Sequence, residues 1–167
     1  IIAADDDRIL EAAKSFNADA VLTSKDHQSG TDRIAEAAEN LDADIIINLQ
    51  ADEPEIDPDN IDRLAQLLID NPHTPMATLS TAIETPEQLT DPNIVKVITD
   101  ISGRAIYFSR SVIPFDRENN CLGPLEQYSR HLGIYAYKKD FLLKLTKLKQ
   151  TKLEKIEKLE QLRVLEN

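Results

Sequence analysis

Asp44-Ile45-Ile46-Ile47-Asn48-Leu49-Gln50-Ala51-Asp52-Glu53-Pro54 is the stretch on which the fold turns. Ile45, Ile46, Ile47 and Leu49 form a nearly continuous apolar run, the pattern of a strand buried on both faces of a parallel sheet. Polar side chains then arrive together, and Pro54, which has no N–H to give a strand ladder, marks the end of the strand. Ligands of open α/β sheets sit outside the carboxyl ends of the strands. Asp52 and Glu53 are therefore carboxylates placed where a ligand or metal ion would be, or else solvated acids of a surface loop.

Working outward, apolar periodicity alternates between strand and helix. Ile1 to Ala4 reads as a strand, 6–16 as a helix with acids in its first turn, and Ala20 to Thr23 as a second strand. A loop to Gly30 leads into a helix from Thr31 to Asn40, and Pro58 opens another that Asn71-Pro72 ends. Met76 to Ile83, Ile94 to Thr99, Ala105 to Ser109 and His131 to Tyr137 read as strands, with Ala105 to Ser109 turning back on its predecessor near Gly103. Leu153, Ile156, Leu159, Leu162 and Leu165 are spaced as one final helix, whose Glu and Lys residues read as a solvated face. Ser111 to Ser129 is a long irregular stretch, expected to help form a dimer interface or to cover a binding site. Strand–helix alternation predicts βαβ units, and the later strands without helices between them predict an antiparallel addition. The 167 residues suit one domain, 1–167.

Composition narrows the function. A formal net charge of −11 disfavours nucleic acid as a partner, because neutralising phosphates requires clustered Lys and Arg. A nucleotide stays possible if a divalent cation supplies positive charge. The single cysteine, Cys121, forms no intramolecular disulfide and fits a reducing compartment. No apolar run approaches the ~20 residues of a membrane-spanning helix. P-loop, dinucleotide fingerprint and nucleophile elbow are all missing from the sequence.

Three further clusters could carry chemistry. His27-Gln28-Ser29-Gly30-Thr31-Asp32-Arg33 starts a helix, where backbone N–H groups can hold an anion, although Ser29 or Thr31 could equally be only an N-cap. Tyr107-Phe108-Ser109-Arg110 with Arg117 offers guanidinium clamps for a carboxylate or phosphate, or simply surface arginines. In Arg130-His131-Leu132-Gly133-Ile134-Tyr135 the alternation puts His131 and Tyr135 on one strand face. There they could bind hydroxyl groups, or His131 could be structural; no second His or Cys at ligand spacing supports His131 as a metal ligand.

Taken in order, seven segments resemble the 3-deoxy-manno-octulosonate (Kdo) cytidylyltransferases. They are Asp5-Asp6-Asp7-Arg8-Ile9, the 26–33 and 48–54 segments, Tyr107 to Arg110, Ile113-Pro114-Phe115-Asp116-Arg117, Arg130 to Tyr135, and Leu159-Glu160-Gln161-Leu162-Arg163-Val164-Leu165-Glu166-Asn167. The resemblance implies a three-layer nucleotide-diphospho-sugar transferase-like (Rossmann-like) α/β fold, with a mixed, mostly parallel sheet and an antiparallel extension. It implies that CTP and Kdo give CMP-Kdo and pyrophosphate with Mg²⁺, in a cytoplasmic homodimer that binds neither nucleic acid nor membrane. By motif position it implies Asp52 as the catalytic Mg²⁺ ligand and Ser29, Gly30, Thr31 and Arg33 as the nucleotide wall. Gln50, Arg117, His131, Tyr135, Glu160 and Gln161 are then the contacts to Kdo.

The chain also departs from that pattern. The family's first strand with its basic, glycine-containing loop, and the later segment with a second metal-binding Asp, are not in these residues. The expectation is thus a piece lacking both ends that does not catalyse by itself. Ala51 replaces a usual Gly, which matters if that position needs positive φ, and Ala4 stands where Thr is common. Two other readings are a cytidylyltransferase for a related acid sugar (8-amino-Kdo or a nonulosonic acid) and a non-catalytic nucleotide-binding or dimerisation module.

Overall fold

A computed structural model describes residues 1–27, 29–50, 56–120 and 123–167. They form two compact units, one of 1–77 and 135–147, the other of 78–134 and 148–167.

The first unit opens with strand β1 (Ile2–Ala4), helix α1 (Asp7–Ser15) and strand β2 (Ala20–Leu22). β1 and β2 pair in parallel, Ala3 opposite Val21, as a βαβ arrangement requires. Helix α2 (Gly30–Glu39), strand β3 (Ile45–Leu49) and helix α3 (Pro58–Asp70) follow. Each helix starts where local chemistry satisfies its first N–H groups: Asp6 accepts from Arg8 N, Ser29 from Asp32 N, and Asp57 from Asp59 N with Pro58 after it. α3 buries Leu64 and Leu68, four residues apart on one face, each burial contributing about 1.5–3 kcal/mol.

Strands β4 (Met76–Ala82) and β7 (Ser129–Lys138) run from one unit into the other, and helix α5 (Lys139–Leu145) returns to the first. In the second unit come α4 (Pro86–Thr90), β5 (Lys96–Thr99), β6 (Ala105–Ser109), α6 (Lys152–Glu157) and α7 (Leu162–Leu165). β5 pairs antiparallel with β6, Val97 opposite Phe108, and antiparallel with the start of β7, Val97 opposite Ser129. The β5–β6 connection explains the direction. Asp100 accepts from Ser102 N and Arg104 N, and Gly103 supplies φ 79°, so the chain reverses within a few residues.

The molecule is thus a mixed α/β fold. Its second unit is antiparallel where register is defined, as expected of later strands with no helices between them. Among the registers defined only β1–β2 is parallel, so the expectation of a mostly parallel sheet is corrected, since without a helical crossover neighbouring strands run antiparallel. The core here is Val97, Phe108, Leu159 and Leu162, with Leu153 packed against it.

Two further expectations change. The segment 111–129 is not wholly irregular, since it holds a 3-10 turn at Leu125–Gln127 and buries Tyr128 with Ile83 and Leu89. The single final helix is two, α6 and α7, parted at Lys158, which adopts the left-handed conformation (φ 55°, ψ 48°).

Candidate functional site

In the first unit, the start of α2 gathers Ser29, Gly30, Thr31 and Arg33. Ser29 is the N-cap: its Oγ accepts from Asp32 N at 3.2 Å and donates to the Asp32 carboxylate at 2.9 Å. A Cβ at Gly30 would meet nothing within 4 Å, so close packing does not demand glycine there. Thr31 is buried. Arg33 laces the carboxyl ends of β1 and β2, donating to Asp5 Oδ2 at 2.6 Å and to Thr23 Oγ1 at 2.7 Å, while Thr23 Oγ1 donates to Ala4 O. Its guanidinium is therefore engaged inside the protein. His27 pairs with Glu36, whose carboxyl is held below its ordinary pKa by the Ser24 N–H and then by His27.

Gln50 follows β3 and is exposed, while Asn48 in the strand is buried with its Nδ2 unpartnered. A lone amide donor fits an oxygen-bearing ligand and cannot ligate a cation. Tyr135 on β7 is buried and stacks on Tyr137, ring centroids 6.0 Å apart. Asp52, the residue assigned to catalysis and metal, lies outside the described residues, as do its neighbours Ala51, Glu53 and Pro54 and also Gln28 and Cys121. Among the described residues, no group of three or more His, Cys, Asp or Glu is placed to hold a metal ion. No helix among them is long and apolar enough to cross a membrane.

In the second unit, His131 stands edge-on to Phe108 at 5.1 Å and hydrogen-bonds Thr78 Oγ1 at 2.9 Å. The Thr78 hydroxyl has one proton, and its shortest acceptor is Ile134 O at 2.7 Å, so His131 Nε2 is the donor to Thr78. Burial lowers the His131 pKa to about 4, leaving the ring neutral near pH 7. Arg117 is exposed on the irregular segment. Glu160 and Gln161 occupy the turn between α6 and α7, Gln161 buried and Glu160 half-buried.

Arg110 is half-buried and is not a free clamp. Its guanidinium donates to Glu157 O at 2.8 Å, Pro92 O at 2.8 Å and Lys158 O at 3.5 Å. The bonds to Glu157 and Lys158 satisfy carbonyls left over where α6 ends. The Glu157 carboxylate accepts in return from Ser109 Oγ at 2.7 Å and Arg110 N at 3.0 Å. Burial would raise the Glu157 pKa, but these donors outweigh it and hold it low. Tyr107 is pushed up by burial and then by the Glu157 charge.

Glu154 and Glu157 of the final segment are accordingly off the solvated face expected there, while Lys152, Lys155, Lys158 and Glu166 are exposed as expected. Glu154 is buried, as is its partner Arg163, with bonds of 2.9 and 2.5 Å between them. Sequence reasoning passed over this pair, whose spacing of nine residues matches no single-helix pattern. It also missed Lys96, fully buried on β5, whose ammonium donates to Asp91 O, Ile94 O and Arg110 O at 3.0, 2.7 and 2.6 Å. Its burial lowers its pKa. A lone lysine inside Ile94-Val95-Lys96-Val97-Ile98 was the available signal, since a charge in an apolar strand needs internal partners.

Comparison with known proteins fits these motifs to a family. A family model described as Cytidylyltransferase matches residues 1–167. The chain belongs to the cytidylyltransferase family. Relatives of this cytidylyltransferase chain include two proteins named 3-deoxy-manno-octulosonate cytidylyltransferase. The one from Solibacter usitatus is 52% identical over 167 residues, and the match takes in all of this chain and 65% of the relative. The one from Geobacter sulfurreducens is 46% identical over 175 residues, taking in all of this chain and 70% of the relative. Among solved structures, a CMP:2-keto-3-deoxy-manno-octonic acid synthetase complexed with CTP superposes with TM-score 0.88 at 42% identity. It covers 97% of this chain and 65% of that one. The cytidylyltransferase chain thus spans about two thirds of the length of these relatives. The resemblance read from the seven motifs is borne out at the level of family.

Proposed function

We propose that the protein transfers CMP from CTP to the acid sugar Kdo, giving CMP-Kdo and pyrophosphate for lipopolysaccharide assembly. The observation that carries this reading is the likeness, over 97% of the chain, to a synthetase of that name complexed with CTP. The anomeric hydroxyl of the sugar attacks the α-phosphorus. A new P–O bond forms as the bond to pyrophosphate breaks, and the hydroxyl proton is lost. Such chemistry rests mainly on positioning and on neutralising charge.

The described residues support a division of labour. The start of α2 supplies the positive end of a ten-residue helix for the nucleotide. Ser29 and Arg33, occupied with Asp32, Asp5 and Thr23, fix the shape of that wall, with Gly30 and Thr31 in its first turn. Gln50, Arg117, His131, Tyr135, Glu160 and Gln161 contact the sugar in this reading. His131, neutral and bonded to Thr78, serves as a hydroxyl partner rather than a cation facing the sugar carboxylate, which leaves that role to exposed Arg117. Mg²⁺, held through Asp52, would neutralise triphosphate charge when bound, and no step above depends on it. The same reading includes the three-layer Rossmann-like architecture, a homodimer and a cytoplasmic location.

Pyrophosphate release by the full-length protein tests the reading. It is expected with CTP plus Kdo, and weaker with UTP, ATP or GTP. Release that requires 8-amino-Kdo or a nonulosonic acid instead of Kdo would move the assignment to a related acid sugar. Calorimetric binding of CTP with no turnover of any acid sugar would leave a non-catalytic module.

A further inference from the structure

We infer that the turn 158–161 is a preset ledge for the acid sugar, and that the buried Glu154–Arg163 pair is its positioning device. The inference rests on the reading that Glu160 and Gln161 touch Kdo.

Two clamps hold this turn, one at each end. At its start, Arg110 grips the carbonyls of Glu157 and Lys158 while the Glu157 side chain is tied to Ser109 and Arg110 N. At its end, Arg163 Nε and Nη2 reach back over nine residues to the two oxygens of Glu154. Glu154 also accepts from Thr151 N with its side chain and from Leu159 N with its carbonyl. Between the clamps, Lys158 is held in left-handed backbone that side-chain-bearing residues rarely adopt, and Leu159 and Leu162 are anchored in the core. Glu160 and Gln161 are thus carried on a turn pinned at both ends.

Stability alone is a poor reason for the pair. A buried ion pair gains little over apolar residues of similar volume, because both charges must be desolvated. What it supplies and leucines would not is direction: a two-bond fork that fixes how α7 leaves α6. An acid sugar read by one carboxylate and one amide needs those two groups held to a fraction of an ångström.

The experiment uses the full-length protein, with CTP and Kdo varied in turn and folding followed by thermal melts. Arg163→Met is expected to raise the KM for Kdo about tenfold and leave the KM for CTP within twofold, with Arg163→Lys recovering part of the loss. Because Arg163→Met could fail to fold, the double variant Glu154→Leu/Arg163→Leu is measured beside it. It is expected to melt no lower than wild type yet still show the raised KM for Kdo. A stable double variant with unchanged KM for Kdo overturns the inference, as does an equal rise in both KM values. Gln161→Ala separates the underlying reading: if it leaves the KM for Kdo unchanged, the sugar contact itself is wrong and the positioning role falls with it. If it raises that KM while the double variant does not, only the positioning role falls.

Discussion

Acidification should destabilise this protein through the burial of His131. In the folded chain the ring is enclosed, edge-on to Phe108 and bonded to Thr78, and its pKa drops to about 4. Unfolded, it returns to about 6.5. Between those values the unfolded chain binds a proton that the folded chain refuses, so stability falls as pH is lowered from 6.5 towards 4 and levels out below. At about 1.4 kcal/mol for each pKa unit the whole fall is about 3 kcal/mol. Carboxylates such as Glu154 and Glu157, whose hydrogen-bond donors hold them low in spite of burial, add an acid dependence of their own, and a difference measurement removes it. Urea unfolding of wild type and His131→Gln is followed from pH 4 to pH 8, the variant keeping a donor for Thr78 but no titration. The stability of wild type relative to the variant should drop by about 3 kcal/mol between pH 7 and pH 4 and stay level above pH 7. A difference constant across the range would refute the reasoning, as would an NMR titration giving His131 an ordinary pKa.

Two more outcomes follow from single side chains. Lys96→Met removes the shared donor of three buried carbonyls while relieving a desolvated charge. The net loss should be about 2 kcal/mol, seen as a melting temperature about 4–8 °C lower by calorimetry. Ser29→Ala uncaps α2 and should cost about 1 kcal/mol in urea unfolding, with Ser29→Thr recovering most of it.

Much of this molecule was legible because its signals are local. Apolar spacing placed α3 and β3, Pro58 sat where a helix begins, and the Gly103 turn paired β5 with β6. What failed to read was the fate of charges. Arg33 looked available for phosphate, yet its partners Asp5 and Thr23 lie 28 and 10 residues away. Arg110 looked like a carboxylate clamp, and it caps α6 from 47 residues away. The helical spacing of the last fifteen residues was real, but it ignored what could interrupt it: an arginine just past β6 seizing the carbonyls of Glu157 and Lys158.

The sequence by itself determined which elements form and which family the chain belongs to, because periodicity, caps and ordered motifs act between near neighbours or survive as strings of residues. Only the tertiary structure decided which charged groups remain for a ligand. An arginine, lysine or glutamate is spent or available according to partners brought up by folding, and nothing within a few residues of Arg33 or Arg110 announces theirs.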